Sequence, residues 1–138
     1  MPCVTIETAE FAYPRMAMEN TSKSMEILEV ASGAALEALG EDLVAIDVAG
    51  RLPFTDAFLI VTADNPRHLR AVVNDIGDEL HKRLGIRGRV EGSGESEWVL
   101  IDAGDATIHV MLPEAREYYA LERLWGHSPR IEVALKSA

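Results

Sequence analysis

The sequence WVLIDAGDATIHVML, residues 98–112, contains two apolar runs separated by a short turn. The dipeptide Ala103-Gly104 lies between two aspartates, and small residues and aspartates in this arrangement are typical of tight hairpin turns. We therefore predict an antiparallel pair of strands in which Ala103-Gly104 is a two-residue loop. In that register Trp98 lies opposite His109.

Side chains alternate along a strand, so this hairpin is predicted to have two different faces. One face is wholly apolar, as in a protein core: Val99, Ile101, Ala106, Ile108, Val110 and Leu112. The other, which we call the mixed face, combines large apolar side chains with polar and charged ones: Trp98, Leu100, Asp102, Asp105, Thr107, His109 and Met111. Two interpretations of the mixed face are open. It is a protein contact surface, where aromatic and Met side chains are enriched, or a helix covers it and His109 is a hydrogen-bonded core histidine.

The residues before the hairpin predict two helices and three further strands. In chain order these are a helix over 24–39, strands over 43–48 and 54–63, a helix over 66–84 and a short strand in GRVEG at 88–92. The second helix has the clearest signals, because Asn65 can cap it, Pro66 suits its first position and Gly85 suits its end. Its apolar residues form one stripe: Leu69, Val72, Val73, Ile76, Leu80 and Leu84.

The residues after the hairpin predict a last helix that begins near Pro113. Its apolar and aromatic residues recur at helical spacing: Tyr118, Leu121, Leu124 and Trp125. We expect Leu121 and Leu124 to pack on the sheet. Tyr119 and Trp125 each have a polar group that requires a partner if it is buried.

This order of elements predicts an α/β (α+β) fold with one mixed five-stranded sheet flanked by helices. A chain of 138 residues has the usual size of one domain. We predict that the domain covers residues 23–131, between a loose N-terminal tail over 1–22 and a C-terminal tail over 132–138.

The charge of the chain disfavours tight binding of nucleic acid, because the formal net charge is −10. Residues 1–50 carry nine acidic residues against Arg15 and Lys23, whereas residues 67–89 carry six basic residues against three acidic ones. We expect a protein partner, met by complementary charge; alternatively, the acidity only keeps the domain soluble. A single cysteine, no secretory signal and no apolar run of membrane-spanning length indicate a cytoplasmic protein.

Motifs for catalysis are missing from the sequence. No histidine has the spacing of a metal site, and EGSGESEW at 91–98 matches neither a nucleophile elbow nor a phosphate-binding loop. Nucleotidyl transfer needs neighbouring carboxylates that hold magnesium, but Asp47, Asp56 and Asp64 are scattered singly along the chain. We therefore predict no catalytic residue, no cofactor and no metal ion.

From about residue 25 to residue 131 the chain resembles the ribosomal silencing factor family, also called Iojap-like. The resemblance is carried by Thr55-Asp56 before an aromatic strand, by Glu91-Gly92, and by WVLID, HVMLPEAR and YYALERLWG at 98–102, 109–116 and 118–126. It implies a fold similar to nucleotidyltransferases that lacks their catalytic carboxylates. It also implies binding to the fourteenth protein of the large ribosomal subunit, at the face that meets the small subunit, and a steric block of subunit joining.

The resemblance also implies which residues touch the ribosomal protein. They are Trp98, Leu100, Asp102, His109 and Met111 on the hairpin, and Tyr119, Glu122 and Trp125 on the last helix. Ala120 stands where relatives often have Asp, so a helix cap is expected to be missing there. Three alternatives remain: a nucleotide-binding or nucleotidyltransferase-like enzyme, a ribosome assembly factor, and a homodimer of the free protein whose mixed face pairs with itself.

Overall fold

The computed structural model describes residues 5–6, 16–50, 55–92, 97–126 and 128–132. The helices are α1 (Met16–Glu37), α2 (Pro66–Leu84), α3 (Pro113–Tyr119) and α4 (Leu121–Leu124). The strands are β1 (Thr5–Ile6), β2 (Glu41–Asp47), β3 (Ala57–Thr62), β4 (Arg89–Glu91), β5 (Trp98–Asp102), β6 (Ala106–Met111) and β7 (Arg130–Glu132). None of the helices in these ranges is long and apolar enough to cross a membrane.

The strands form one mixed sheet in the order β1-β7-β2-β3-β6-β5-β4. Of the neighbouring strands in the described ranges, β3 and β6 are parallel and the other pairs are antiparallel. The predicted α/β class with a mixed sheet is confirmed, and the five predicted strands are its contiguous part from β2 to β4. Among the described residues the sheet has seven strands, two more than predicted. The additional strands, β1 and β7, are too short to show an alternating pattern in the sequence.

Two predicted boundaries also differ from the structure. Helix α1 begins at Met16 rather than near Ser24, so residues 16–22, assigned to the tail, are helical. This segment is rich in Met, Ala and Glu, which favour helix even where no apolar stripe marks it. At the other end, Glu132 belongs to β7 rather than to a tail. Most of both predicted tails, residues 1–4, 7–15 and 133–138, lies outside the described residues.

Helices α1 and α2 cover one face of the sheet, except at the edge strand β4, where Val90 is 51% exposed. The apolar hairpin face packs there, as predicted, against Leu28 and Ala35 of α1 and against the predicted stripe of α2. Four residues of that stripe are buried: Leu69, Val72, Ile76 and Leu80. Each fully buried Leu or Ile side chain stabilises the fold by roughly 1.5–3 kcal/mol. The caps of α2 are the predicted ones, since the Asn65 side chain accepts a hydrogen bond from the His68 N–H (2.9 Å) and Gly85 is left-handed.

The hairpin register differs from the predicted one by two residues. Trp98 lies opposite Met111, not His109, and the two-residue loop is Gly104-Asp105. The local reasons are clear: Gly104 has a φ of 95°, which favours glycine, and its N–H donates to Asp102 Oδ1 at 3.0 Å. A shift of two leaves every side chain on its predicted face, whereas a shift of one would exchange the faces.

Helices α3 and α4 pack on the mixed face of the sheet, over its middle strands. The cluster beneath them includes Phe58, Ile60, Met111, Ala115 and Leu121. The prediction that Leu121 packs on the sheet is confirmed.

The same prediction for Leu124 is wrong, because that side chain is 70% exposed. The helix is interrupted at Ala120, which has φ 46° and ψ 54° and makes no side-chain cap hydrogen bond. The interruption changes which side of the following turn faces the sheet.

Candidate functional site

The mixed face is covered over β2, β3 and β6 but uncovered over β5 and β4. On β5, Trp98, Leu100 and Asp102 are partly exposed, and the residues between them are buried in the core on the other side. On β4, Arg89 lies opposite Asp102 and Glu91 lies opposite Leu100, and both are exposed. We call these five side chains the open face.

Trp98 is held in place from two directions. Its indole Nε1–H donates a hydrogen bond to His109 Nδ1 at 3.1 Å, and its ring lies against the Tyr119 ring with the centroids 4.7 Å apart. Both contacts restrict the rotation of the indole while one side of it stays accessible. A large amphipathic ring fixed in this way is the type of residue that dominates binding energy at protein interfaces.

His109 supports Trp98 from below and is 4% exposed. Because an indole N–H can only donate, Nδ1 must accept, and the neutral ring therefore carries its proton on Nε2. Burial lowers the pKa of His109 to about 4, so the ring is neutral at neutral pH. Nε2 has no hydrogen-bond partner within the described ranges.

The expected contact role of His109 and Met111 needs correction. Met111 is fully buried and His109 almost so, because α3 and α4 lie over β6. A docked protein cannot touch either side chain without moving these helices. The interpretation of His109 as a core histidine is therefore the better one, although it is linked to the open face through Trp98.

A continuous series of ring contacts runs from the surface into the covered part of the mixed face. Its centroid distances are 5.0 Å for Tyr118–Tyr119, 4.7 Å for Tyr119–Trp98, 5.8 Å for Trp98–His109, 4.8 Å for His109–Phe58 and 5.6 Å for Phe58–Trp125. Tyr118 and Tyr119 are 81% and 50% exposed and stand beside the open face. Trp125, at the inner end, is partly buried against Phe58.

Glu122 forms an internal ion pair. Its Oε2 accepts from Arg116 Nη2 at 2.7 Å, and Arg116 Nη1 donates to Thr62 Oγ1 at 2.7 Å. The hydrogen bond from Arg116 is the main reason why the pKa of Glu122 is lowered. The pair connects α4 with α3 and with β3, so Glu122 contributes to the position of the helices beside the open face.

The structure brings together carboxylates that are distant in the sequence. Burial raises the pKa of Asp47, and nearby Asp56 raises it further. Burial also raises the pKa of Asp56, with an added effect of Asp105. The interpretation of these aspartates as scattered is therefore wrong for Asp47 and Asp56, because the ends of β2 and β3 meet there. In the described parts of the chain, however, no three His, Cys, Asp or Glu side chains are arranged to hold a metal ion.

Sequence reasoning missed three exposed residues at this site: Arg89, Glu91 and Tyr118. Arg89 and Glu91 reach the open face only because β4 pairs with β5 in one particular register. The alternation of GRVEG at 88–92 contains that information, but only once the pairing partner is known. Tyr118 lies at helical spacing from Leu121, but the helix ends at Tyr119 and the Tyr118 side chain is exposed.

Comparison with known proteins gives a family for the chain. A family described as ribosomal silencing factor during starvation matches residues 21–138. A Bacillus subtilis protein named ribosomal silencing factor is 36% identical over 108 residues, which cover 78% of this chain and 91% of that protein. A Chromobacterium violaceum protein of the same name is 39% identical over 107 residues, covering 74% of this chain and 86% of the relative.

A further relative and a solved structure complete the comparison. A mouse protein named mitochondrial assembly of ribosomal large subunit protein 1 is 38% identical over 88 residues, which cover 61% of this chain and 38% of the mouse protein. Among solved structures, a crystal structure of a Chromobacterium violaceum protein superimposes with a TM-score of 0.68 at 35% identity, covering 81% of this chain and 94% of that one. The chain therefore belongs to the family of ribosomal silencing factors.

Proposed function

We propose that this protein represses translation by binding the large ribosomal subunit and preventing the small subunit from joining it. The partner on the large subunit is its fourteenth protein, at the intersubunit face, and the open face is the surface that binds it. The observation that carries the proposal is Trp98, which is partly exposed on an uncovered strand and fixed by His109 and Tyr119.

The chemistry of the open face favours a protein as the partner. Trp98 and Leu100 supply apolar contact area, while Asp102 and Glu91 supply carboxylates beside it. An interface core of this kind, with an aromatic anchor and a charged rim, is typical of specific protein complexes. A net charge of −10 attracts a basic ribosomal protein from a distance and speeds the encounter.

The mechanism is steric and requires no reaction. A bound domain of this size overlaps the volume that the small subunit has to occupy, so binding alone is sufficient. A standard interface of about 1,600 Å² with one or two aromatic anchors supplies the necessary affinity. On this account the protein is not an enzyme, needs neither cofactor nor metal, and acts where ribosomes work, in the cytoplasm.

Sedimentation of purified ribosomal subunits tests the proposal. We expect that the protein, added before the small subunit, reduces the seventy-S peak and migrates with the large subunit. A Trp98→Ala variant should leave the seventy-S peak unchanged. If the wild-type protein does not reduce subunit joining at concentrations that saturate the large subunit, steric repression is the wrong mechanism.

Self-association in the absence of the ribosome is a separate part of the proposal. The open face exposes apolar area that a second copy can cover, so the free protein is expected to form a homodimer that competes with ribosome binding. Light scattering across a range of concentrations tests this expectation. A single monomeric mass at all concentrations would exclude the dimer and leave the ribosomal role unaffected.

A further inference from the structure

A basic segment lies next to the open face in an otherwise acidic chain. The sequence KRLGIRGR, residues 82–89, contains four basic residues and no carboxylate, whereas the whole chain has a net charge of −10. The four basic side chains are Lys82 and Arg83 in the last turn of α2, Arg87 in the following connection, and Arg89 on β4. All four are exposed. We call them the basic corner.

Two of these four charges have no counterion among the residues that the structure describes. Glu79 pairs with Arg83, with Nε and Oε1 2.6 Å apart, and more loosely with Lys82 at 3.8 Å. No carboxylate in the described part of the chain forms an ion pair with Arg87 or Arg89. Asp102 lies opposite Arg89, but its Oδ1 accepts from the Gly104 N–H instead.

The backbone fixes both arginines at the edge of the sheet. Gly88, between them, lies so close to β5 that a Cβ atom there would come within 2.7 Å of Ile101 Cγ2. The segment therefore packs directly on the strand that carries Trp98 and Leu100. Arg89 belongs to both surfaces, since its side chain lies on the open face and also forms one end of the basic corner.

We infer that the basic corner binds phosphate groups of ribosomal RNA beside the protein contact made by the open face. The inference rests on the proposed function, because it needs the large subunit as the partner. Arginine suits this role, since its planar guanidinium binds phosphate oxygens through two parallel hydrogen bonds. Contacts of this kind fix orientation and do not read base sequence.

The distribution of charge over the rest of the chain supports RNA as the second partner. Residues 1–50 carry nine acidic residues and two basic ones, so this part of the protein is repelled by phosphate. Attraction at the basic corner and repulsion elsewhere together favour one orientation on a surface that contains both protein and RNA. The open face is then directed to the ribosomal protein, while Arg87 meets the neighbouring RNA and Arg89 lies between the two contacts.

The test compares two partners for one double variant, Lys82→Gln with Arg87→Gln, which leaves Arg89 of the open face in place. Binding is measured to intact large subunits and, separately, to the purified fourteenth protein of that subunit, at 50 and 200 mM salt. The matched control is Lys23→Gln with Arg67→Gln, which removes the same charge from exposed positions. Arg67 lies at the other end of α2, about 24 Å from Arg83 along the helix.

We expect the Lys82/Arg87 variant to bind intact subunits roughly tenfold more weakly at 50 mM salt, while its affinity for the purified protein stays within about twofold of wild type. Its salt dependence should also be shallower, because each lost phosphate contact lowers the logarithmic slope by about one. The control variant should behave like wild type toward both partners.

Three results would overturn the inference. Equal binding of variant and wild type to intact subunits would show that the basic corner makes no contact. An equal loss toward the purified protein would show that Lys82 and Arg87 meet an acidic protein surface instead of RNA. Failure of the wild-type protein to bind subunits at all would remove the proposed function and this inference with it, and is distinguishable because it needs no variant.

Discussion

The two faces of the sheet are formed by the same strands but differ in their side chains and in how far helices cover them. Against α1 and α2, the hairpin presents only apolar side chains, and all of them are buried. Against α3 and α4, the same strands present a mixture in which β6 is sealed and β5 remains partly exposed. The difference indicates that the first face stabilises the fold, whereas the open part of the second face is available to bind a partner protein. Substitutions on the two faces should therefore have different consequences.

The largest effect is expected on the face of the sheet that packs against α1 and α2. Ile108→Ala removes a fully buried side chain of β6, and such truncations lower the free energy of unfolding by about 2–5 kcal/mol. Chemical denaturation followed by circular dichroism measures the loss. The control is Leu124→Ala on the other side, which is 70% exposed and should change stability by less than about 0.5 kcal/mol. Similar losses for both variants would contradict the contrast between the faces.

The next largest effect concerns pH and the covered part of the mixed face. Burial lowers the pKa of His109 to about 4, while an unfolded histidine titrates near 6.5. Between these values the unfolded chain binds more protons, so stability is fully present above pH 6.5 and falls as the pH decreases toward 4. The linkage amounts to about 3 kcal/mol.

A variant isolates the contribution of His109 from other acid effects. His109→Asn does not titrate, yet it places an acceptor near the position of Nδ1 for the Trp98 N–H. The raised pKa values of Asp47 and Asp56 act in the opposite direction, since their protonation at low pH relieves a cost of burial. Because both aspartates are present in both proteins, the difference in unfolding free energy between wild type and variant reports His109. If that difference is the same at pH 7 and pH 4.5, the histidine is not held neutral as described.

Trp98→Ala should affect binding more than stability. Loss of an aromatic anchor costs at least about 2 kcal/mol, or roughly 30-fold in affinity for the large subunit. The unfolding free energy should fall by about 1–2 kcal/mol, because Trp98 is only partly buried but its loss removes the donor to the buried His109 Nδ1. Co-sedimentation and denaturation measure the two quantities. Leu39→Ala, 75% exposed at the end of α1, is the control that should bind normally. A fall in stability of the size expected for Ile108→Ala would assign Trp98 to the core.

The smallest effect is expected at the junction between α3 and α4. Ala120 has a left-handed conformation, which costs an L-residue about 1–2 kcal/mol and glycine much less. Since glycine also makes the unfolded chain more flexible, Ala120→Gly should stabilise the protein by a net ~0.5 kcal/mol, or about 2 °C in Tm. Ala120→Val should lower Tm, and a gain with valine would show that the junction is not left-handed.

The sequence predicts the face packed against α1 and α2 well and the open face only in part. Alternation assigns each hairpin side chain to the correct face even though the predicted register differs by two residues. Side chains alternate with a period of two, so a shift of two leaves each of them on the same face. Burial of His109 and Met111 depends on where α3 and α4 lie, and exposure of Leu124 depends on the interruption at Ala120. The place of Arg89 on the open face and the nearness of Asp56 to Asp47 depend on which strands pair and in which register. These are tertiary facts that no local pattern contains.

Hydrogen–deuterium exchange of the protein, free and bound to the large ribosomal subunit, tests the central claim most directly. If the open face is the docking surface, binding should slow exchange in residues 89–91, 97–102 and 118–125 and leave the solvent side of α1 unchanged. Protection confined to α1, with no change along β5, would place the ribosome on the opposite side of the protein and contradict the proposed function.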